Sequence, residues 1–374
     1  NQQITVKHIR MTETKTVPCF YTTAIEILYL YKFTMCCAVI DNFPRAYVQY
    51  TFRDRNDTVY PAGFADELRR QIEALEGVVI SDDEVDFMKR RCPYIPFWFY
   101  SFLKGFRYDA STVTVRQDEE GHLELDIEGC WASTILLEVK ILSIISELYY
   151  IMTGQDASFE LEKFAARSAQ KAERLITGGC RFSDFGTRRR ASFKAHEAAL
   201  AAMADCQSRV SGPGRFVGSS NVYLAMKYGV KPIGTYAHEY VQMYQGIDSI
   251  PLAYTNHYAL EDWYNEYKGD NGTALTDTIT TDLFLLDFNR SMVNNFTGVR
   301  HDSGDPFEWG EKMIAHYHKY GADTSRKQLL FSDGLHFDTA QALYKQFRAE
   351  GKIRNPRENI LIFRMPIGNI MHLN

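Results

Sequence analysis

Several familiar signatures are missing from this 374-residue sequence. It has no G-x-x-x-x-G-K-[ST] or G-x-G-x-x-G stretch, so the two best-known glycine-rich nucleotide cradles are excluded. Its seven cysteines, at 19, 36, 37, 92, 130, 180 and 206, form no C-x-x-C pair and no zinc-like spacing. With an odd number of them, reduced thiols and a cytoplasmic protein are expected. "HEYVQ" begins like a zinc-protease helix, but Gln242 stands where a second histidine is needed. Long uninterrupted apolar runs are also missing. The longest stretch, "WASTILLEVKILSIISELYYIM" from Trp131, contains Glu138, Lys140 and Glu147, and reads as a helix buried on one face, not as a membrane span. The N-terminus shows no charged-then-apolar leader. Nor is there a positive excess: 42 Lys and Arg against 47 Asp and Glu leave a net charge of -5, which argues against a nucleic-acid binder.

What is present suits a large soluble enzyme. The chain exceeds the usual size of one hydrophobic core, so one large barrel or two domains is the prior. Residues 1–130 read as an α+β domain. "AYVQYTFRD" (46–54) alternates like a strand, and "FADELRRQIEALEG" (64–77) is an amphipathic helix closed by glycine. "STVTVRQDEEGHLELDIEG" is a hairpin turning at Asp118 to Gly121. "GVVISDDEVD" (77–86) contains a Ser81/Glu84 capping box. The aromatic-rich "PYIPFWFYSFLKGF" (93–106) is expected to pack in the core.

From Trp131 to Gly351 the pattern becomes strand, polar turn, helix. "VRHDSGDPFEWGEKMIAHYHKYG" has Asp305 as N-cap, Pro306 at the first helical position, Glu308 completing a capping box and Gly321 as terminator. "QLLFSDGLHFDTAQALYKQFRAEG" repeats the scheme, with Asp338 as expected N-cap and Gly351 closing. Alternation of this kind implies parallel βα units, whose ligands gather at the carboxyl ends of the strands. Part of 352–374 is expected to return to the N-terminal domain.

Five strand ends are rich in polar groups: "SDFGTRRR" (183–190), "VGSSN" (217–221), "GTYAHE" (234–239), "RHDSGDP" (300–306) and "FSDG" (331–334). Arg188, Arg189 and Arg190 could grip a carboxylate or phosphate through a planar fork. Phe185 offers an apolar face to a flat ligand. Ser219, Ser220 and Asn221 open a helix, where capping and anion binding both fit. Asp302, Asp305 and Asp333 are hard oxygen donors that suit Mg²⁺ on a substrate phosphate or hydrogen bonds from sugar hydroxyls, Asp305 having a strong capping role as well. His238 begins a helix, where the positive end of the dipole favours neutral imidazole. "HYH" (316–318) falls inside a helix, where alternate residues point apart.

At these motifs the sequence resembles the nicotinate phosphoribosyltransferases, of the type II phosphoribosyltransferase group. The pieces are "YKFTM" (31–35), "ILLEVKILSIISELYY", "FSDFGTRRR", "VGSSNVYLAMKYGVKPIGTYAHEYVQMYQ", "TDTITTDLFL", "GVRHDSGDP" and "FSDGLHFD", in family order. The resemblance implies an irregular (β/α) barrel beside the N-terminal α+β domain, and a head-to-tail homodimer with shared sites. It implies conversion of nicotinate and PRPP to nicotinate mononucleotide and pyrophosphate in NAD biosynthesis, coupled to ATP hydrolysis through a phosphohistidine. By this likeness His238 is the phosphorylated residue, with Asp302 and Glu239 as further catalytic groups. Tyr31 and Phe185 sandwich the pyridine, one of them able to reach across the dimer. Arg188 and Ser220 face the nicotinate carboxylate, and Thr235, Arg300 and Asp333 bind substrate. Asp302 and Asp333 hold Mg²⁺. Nicotinamide-using relatives carry an acid at the place of Ser220, so serine favours the acid substrate.

The chain departs from the family pattern twice. Ile27 and Tyr29 stand where acidic residues usually precede the "LYK" stretch, and "RMPIGNIMHLN" after "ILIF" (360–363) offers one glycine where a Gly-Thr-rich phosphate turn is expected. Rival readings are a nicotinamide or quinolinate phosphoribosyltransferase, a metal-dependent barrel hydrolase using His301 and Asp302, and a degenerate nucleotide-binding member.

Overall fold

Period-two alternation in the N-terminal part produces β1 (Tyr47–Thr51), β2 (Val113–Gln117) and β3 (Leu123–Cys130), an antiparallel sheet in the order β1-β3-β2. Leu123, Leu125 and Ile127 turn inward from β3 while Glu124 and Glu128 face water. The β2–β3 turn closes where the sequence places it: Asp118 accepts the Gly121 N–H at 3.2 Å, and Gly121 has φ of 95°. The helix Phe64–Ala74 forms as read, and the Ser81/Glu84 capping box opens Asp82–Arg91 with both reciprocal bonds made. The computed structural model describes residues 29–54, 56–155, 157–332, 335–349 and 361–365.

The second half builds β4 (Arg181–Asp184), β5 (Arg215–Ser219), β6 (Lys231–Pro232), β7 (Thr273–Leu275), β8 (Gly298–His301), β9 (Gln328–Phe331) and β10 (Leu361–Met365). All neighbouring pairs are parallel, in the order β6-β5-β4-β10-β9-β8-β7. Read round a ring, this is simply chain order, with β10 closing between β9 and β4. The strands from β7 to β9 are buried almost continuously, as expected for a parallel sheet covered on both faces.

Between β6 and β7, no backbone ladder forms among the described residues; side chains make the seam. The Tyr236 hydroxyl accepts the Leu275 N–H of β7 at 3.1 Å, and Arg300 of β8 donates to the Tyr236 carbonyl at 2.8 Å. This gap is what makes the barrel irregular.

Several expectations need correction. Of residues 352–374, expected in part to return to the N-terminal domain, only Leu361–Met365 is described, and that stretch is ladder-bonded on both sides within the barrel, between β4 and β9. The long apolar stretch is two helices, Trp131–Thr134 and Glu138–Met152, not one. Of the aromatic segment, Phe99, Tyr100 and Leu103 are buried, but Phe97 is 73% and Trp98 38% exposed, because the helix Phe97–Gly105 shows the core one face only. Asp338 lies in the first turn of Phe337–Ala349; His336 precedes that helix and its carbonyl accepts the Ala340 N–H. Asp305 does cap Pro306–Lys319, accepting from Phe307 and Glu308, without a return bond from the Glu308 carboxylate. Asp333 and Gly351 lie outside the described residues.

The helix Leu30–Asn42, assigned by sequence to the N-terminal domain, is bonded to barrel segments. Leu30 N–H donates to the Ser220 carbonyl at 2.9 Å, Thr34 to that of Thr235 at 3.1 Å, and the Tyr267 hydroxyl to that of Thr34 at 2.5 Å. Gly234 permits the approach: a Cβ there would lie 2.7 Å from Tyr31 N. Because the Tyr236 hydroxyl is the acceptor for a buried strand-edge N–H, Tyr236→Phe should lower the unfolding free energy by about 1–3 kcal/mol. Urea denaturation checks this; an unshifted midpoint would remove the seam from the account of stability.

Candidate active site

Parallel strands arranged in a ring bring their carboxyl ends to one rim, and the polar strand ends meet there. The best-formed cluster surrounds His238, first residue of the helix His238–Gln245. Its Nε2 is 3.1 Å from Asp277 Oδ1, and its Nδ1 is 3.7 Å from Asp302 Oδ2. Ser303 donates to the other oxygen of Asp277. Burial opposes ionisation of Asp277, but the hydrogen bonds from His238 and then Ser303 outweigh it and hold the carboxyl below its ordinary range. Asp302 is fixed in turn by Ser332 at 2.5 Å and by Arg300 at 3.3 Å. Arg300 also donates to Thr235 Oγ1 and the Tyr236 carbonyl, so its guanidinium braces the rim from within the protein.

A second cluster forms at the ends of β4 and β5. Asp184 is fully buried and takes hydrogen bonds from Ser219 at 2.6 Å and from the Gly186 N–H at 2.8 Å, beside His196 Nε2 at 2.8 Å. This arrangement holds the turn that presents Phe185 and Arg188. Asn221, not Ser219 or Ser220, caps the following helix, accepting from Leu224 N–H. The Ser220 hydroxyl is buried and has no hydrogen-bond partner among the described residues. An orphaned buried donor is costly and commonly marks a ligand position. Of the arginine triplet, Arg189 is exposed and Arg190 is buried 3.6 Å from Glu147. Arg188 alone is partly accessible, with Glu138 at 3.8 Å. Burial opposes the charge of Arg188, while the Asp302 carboxylate is among the groups that favour it, so the two clusters adjoin.

Tyr29 links them to the helix Leu30–Asn42. Its hydroxyl donates to the Phe185 carbonyl at 2.7 Å and accepts the Arg188 N–H at 2.9 Å. Its ring stacks on Tyr31 with centroids 5.0 Å apart and lies 6.1 Å from Phe185. Tyr31 and Phe185 do not pair directly; Tyr29 touches both. Next to Tyr31, the ammonium of Lys32 is fully buried between Glu138 at 2.7 Å and Glu239 at 2.5 Å. Burial disfavours that charge, yet the attraction of Glu138 and then Glu239 prevails and raises its proton affinity. Glu239, grouped with the catalytic residues by sequence, also accepts from Tyr50 and from Trp131 Nε1. Both of its carboxylate oxygens are thus engaged by buried donors, which tie the His238 helix to Leu30–Asn42 and to Trp131.

The donors fit magnesium in one arrangement. Asp302 is the carboxylate at hand, and Mg²⁺ commonly takes one or two carboxylates together with substrate phosphates and waters. Among the described residues no group of three ligating side chains forms on the rim. Asp302 could therefore hold the ion only with a phosphorylated substrate supplying further oxygens. No helix of the described residues is long and apolar enough to cross a membrane.

Comparison with known proteins agrees with this geometry. Residues 180–358 match the model of the Nicotinate phosphoribosyltransferase (NAPRTase) family, and residues 29–146 match its N-terminal domain. A nicotinate phosphoribosyltransferase of Chromohalobacter salexigens is 42% identical over 307 residues, covering 82% of this chain and 76% of that protein. One of Methanosarcina mazei is 36% identical, covering 87% and 81%. The crystal structure of the Porphyromonas gingivalis enzyme superposes with a TM-score of 0.83 at 34% identity, over 92% of this chain and 84% of that one. A putative nicotinate phosphoribosyltransferase from Saccharomyces cerevisiae gives 0.85 at 30% identity, over 94% and 85%. The chain belongs to the nicotinate phosphoribosyltransferase family.

Within that family frame, sequence reasoning passed over three residues. Asp277 sits in "TDTITTDLFL", a segment read as family-like without a role for its acid. Glu138 was seen only as a charge interrupting an apolar run. Tyr29 was noted as a departure, although here it clasps the Phe185–Arg188 turn. The folded Asp277 carboxyl lies below its unfolded value of about 3.9. Its stabilisation is therefore complete at neutral pH and is lost as pH falls through the folded pKa. Asp277→Asn should cost about 1–3 kcal/mol at pH 7 and flatten the acid limb of the stability curve. An unchanged pH profile of unfolding would contradict the His238–Asp277–Ser303 assignment.

Proposed function

We propose that this protein transfers the phosphoribosyl group of PRPP to nicotinate, giving nicotinate mononucleotide and pyrophosphate, in cytoplasmic NAD biosynthesis. ATP hydrolysis is coupled to the transfer through phosphorylation of His238. The observation carrying this reading is an imidazole fixed between two carboxylates, Asp277 and Asp302, on the rim that also holds Arg188 and the orphaned Ser220 hydroxyl.

The residues divide the work as follows. Asp277 keeps the proton on His238 Nε2, leaving the Nδ1 lone pair as nucleophile. Nδ1 attacks the γ-phosphorus of ATP, the bond to ADP breaks, and the phosphoryl group later passes to water. Phosphorylation changes the charge at the rim and so shifts the protein toward tighter PRPP binding. Arg188 and Ser220 take the nicotinate carboxylate, and the pyridine lies between Tyr31 and Phe185 drawn from the two protomers of a homodimer. Its nitrogen attacks the anomeric carbon as the bond to pyrophosphate breaks, and positive charge on the ribose is stabilised by Asp302. Asp302, with Asp333, would hold Mg²⁺, which would supply positive charge to offset that of the departing pyrophosphate. Serine at 220 in place of an acid favours nicotinate over nicotinamide, the nearest rival substrate.

Pyrophosphate release measured with nicotinate and PRPP, with and without ATP, tests the reading; no release under either condition would reject it. In the same assay His238→Ala should abolish the stimulation by ATP and leave a slow PRPP-dependent reaction, whereas retained stimulation would refute the phosphohistidine. Ser220→Asp should weaken nicotinate relative to nicotinamide roughly tenfold by like-charge repulsion. Equal weakening of both pyridines would count against the selectivity role.

A further inference from the structure

We propose that the buried Lys32 is a specificity-determining residue: by holding Glu138 away from Arg188 and cancelling its charge, it keeps the site receptive to an anionic pyridine. The proposal rests on the nicotinate reading above. It starts from an asymmetry in how Glu138 is shared. Lys32 Nζ is 2.7 Å from Glu138 Oε2, a close ion pair, while Arg188 lies 3.8 Å from Oε1, outside hydrogen-bond range. Arg188 is thus attracted by Glu138 without being bound to it, and its planar donors remain available. Burial also restricts Lys32, which has no exposed surface and has Glu239 at 2.5 Å on its other side.

The four ionic groups of this cluster balance. Lys32 and Arg188 supply two positive charges; Glu138 and Glu239 supply two negative ones. Tyr31 and Tyr50 stay neutral, since burial raises both hydroxyls far above their ordinary values. A carboxylate ligand therefore meets no net negative field from these groups. Without Lys32 the balance shifts by one unit. Glu239 would keep neutral donors in Tyr50 and Trp131, but Glu138 has no hydrogen-bond or ionic partner among the described residues beyond Lys32 and Arg188. Its carboxylate would close on Arg188 and occupy the fork that a substrate carboxylate needs. A neutral pyridine amide would not feel that competition.

The test compares nicotinate and nicotinamide, by dissociation constants from titration calorimetry and by KM and kcat. Lys32→Met, similar in length and uncharged, should raise the Kd and KM of nicotinate roughly tenfold, with a smaller change in kcat and little change in the Kd of nicotinamide. Adding Glu138→Gln in the double variant should restore nicotinate binding to within about threefold of the original, because it removes the competing charge. Equal loss for both pyridines, or a double variant worse than the single one, would overturn the proposal in favour of a purely structural lysine. Should Lys32→Met fail to fold, Glu138→Gln alone decides: nicotinate binding should tighten while nicotinamide is unaffected, and unchanged or weaker nicotinate binding would refute the idea. Calorimetric binding is read independently of turnover. A protein that binds nicotinate in this charge-dependent way but releases no pyrophosphate would reject the transferase reading and leave this inference standing.

Discussion

An ammonium with no exposed surface, gripped by two carboxylates, is the interaction on which the site's geometry depends. Lys32 joins the helix Leu30–Asn42 to the first turns of Glu138–Met152 and His238–Gln245. Taking a lysine out of water costs several kcal/mol, and only good partner geometry offsets it. Here both partners sit at helix N-termini, where the dipole favours negative charge. Two helix ends and one cation thereby fix each other, and the chain segments carrying Tyr31, Arg188 and His238 follow from that junction.

Around it the barrel separates its chemistry by strand. The ends of β4 and β5 offer a cation and an unmatched hydroxyl, suited to an acid group on a flat ring. The ends of β7 and β8 offer carboxylates on either side of an imidazole, suited to phosphoryl chemistry and a developing cation. Each polar group of the rim is held by a neighbour: Asp277 by Ser303, Asp302 by Ser332 and Arg300, and the Arg188 turn by Tyr29. Such preorganisation reduces the rearrangement needed when charge develops.

Much of this was legible in the sequence, for local reasons. Period-two runs, the Ser81 box, the Asp305 cap and the strand-turn-helix texture after Trp131 are encoded within a dozen residues of each other, and they folded as read. Polar strand ends pointed to the rim because parallel strands leave no other place for them. What stayed hidden is non-local. Glu138 and Lys32 are separated by more than a hundred residues, so no spacing announces their pairing. The seam at Tyr236 and the seat of Leu361–Met365 depend on ring closure, which periodicity does not report. Phe97 was misassigned because composition shows an aromatic cluster but not which side of the helix faces out.

The last described strand is the keystone of the ring. Before Leu361–Met365 has been synthesised, β4-β5-β6 and β7-β8-β9 are two three-stranded arcs that meet at the side-chain seam of Tyr236, and the facing edges of β4 and β9 have no strand between them. Pairing of β10 with β4 spans nearly the whole second half of the chain, so its loop entropy is paid late. Nascent protein must therefore pass through a stage with open parallel edges, the kind of surface that recruits other chains. Assembly of this barrel on the ribosome is consequently a problem of protecting two half-cylinders until their common stave arrives.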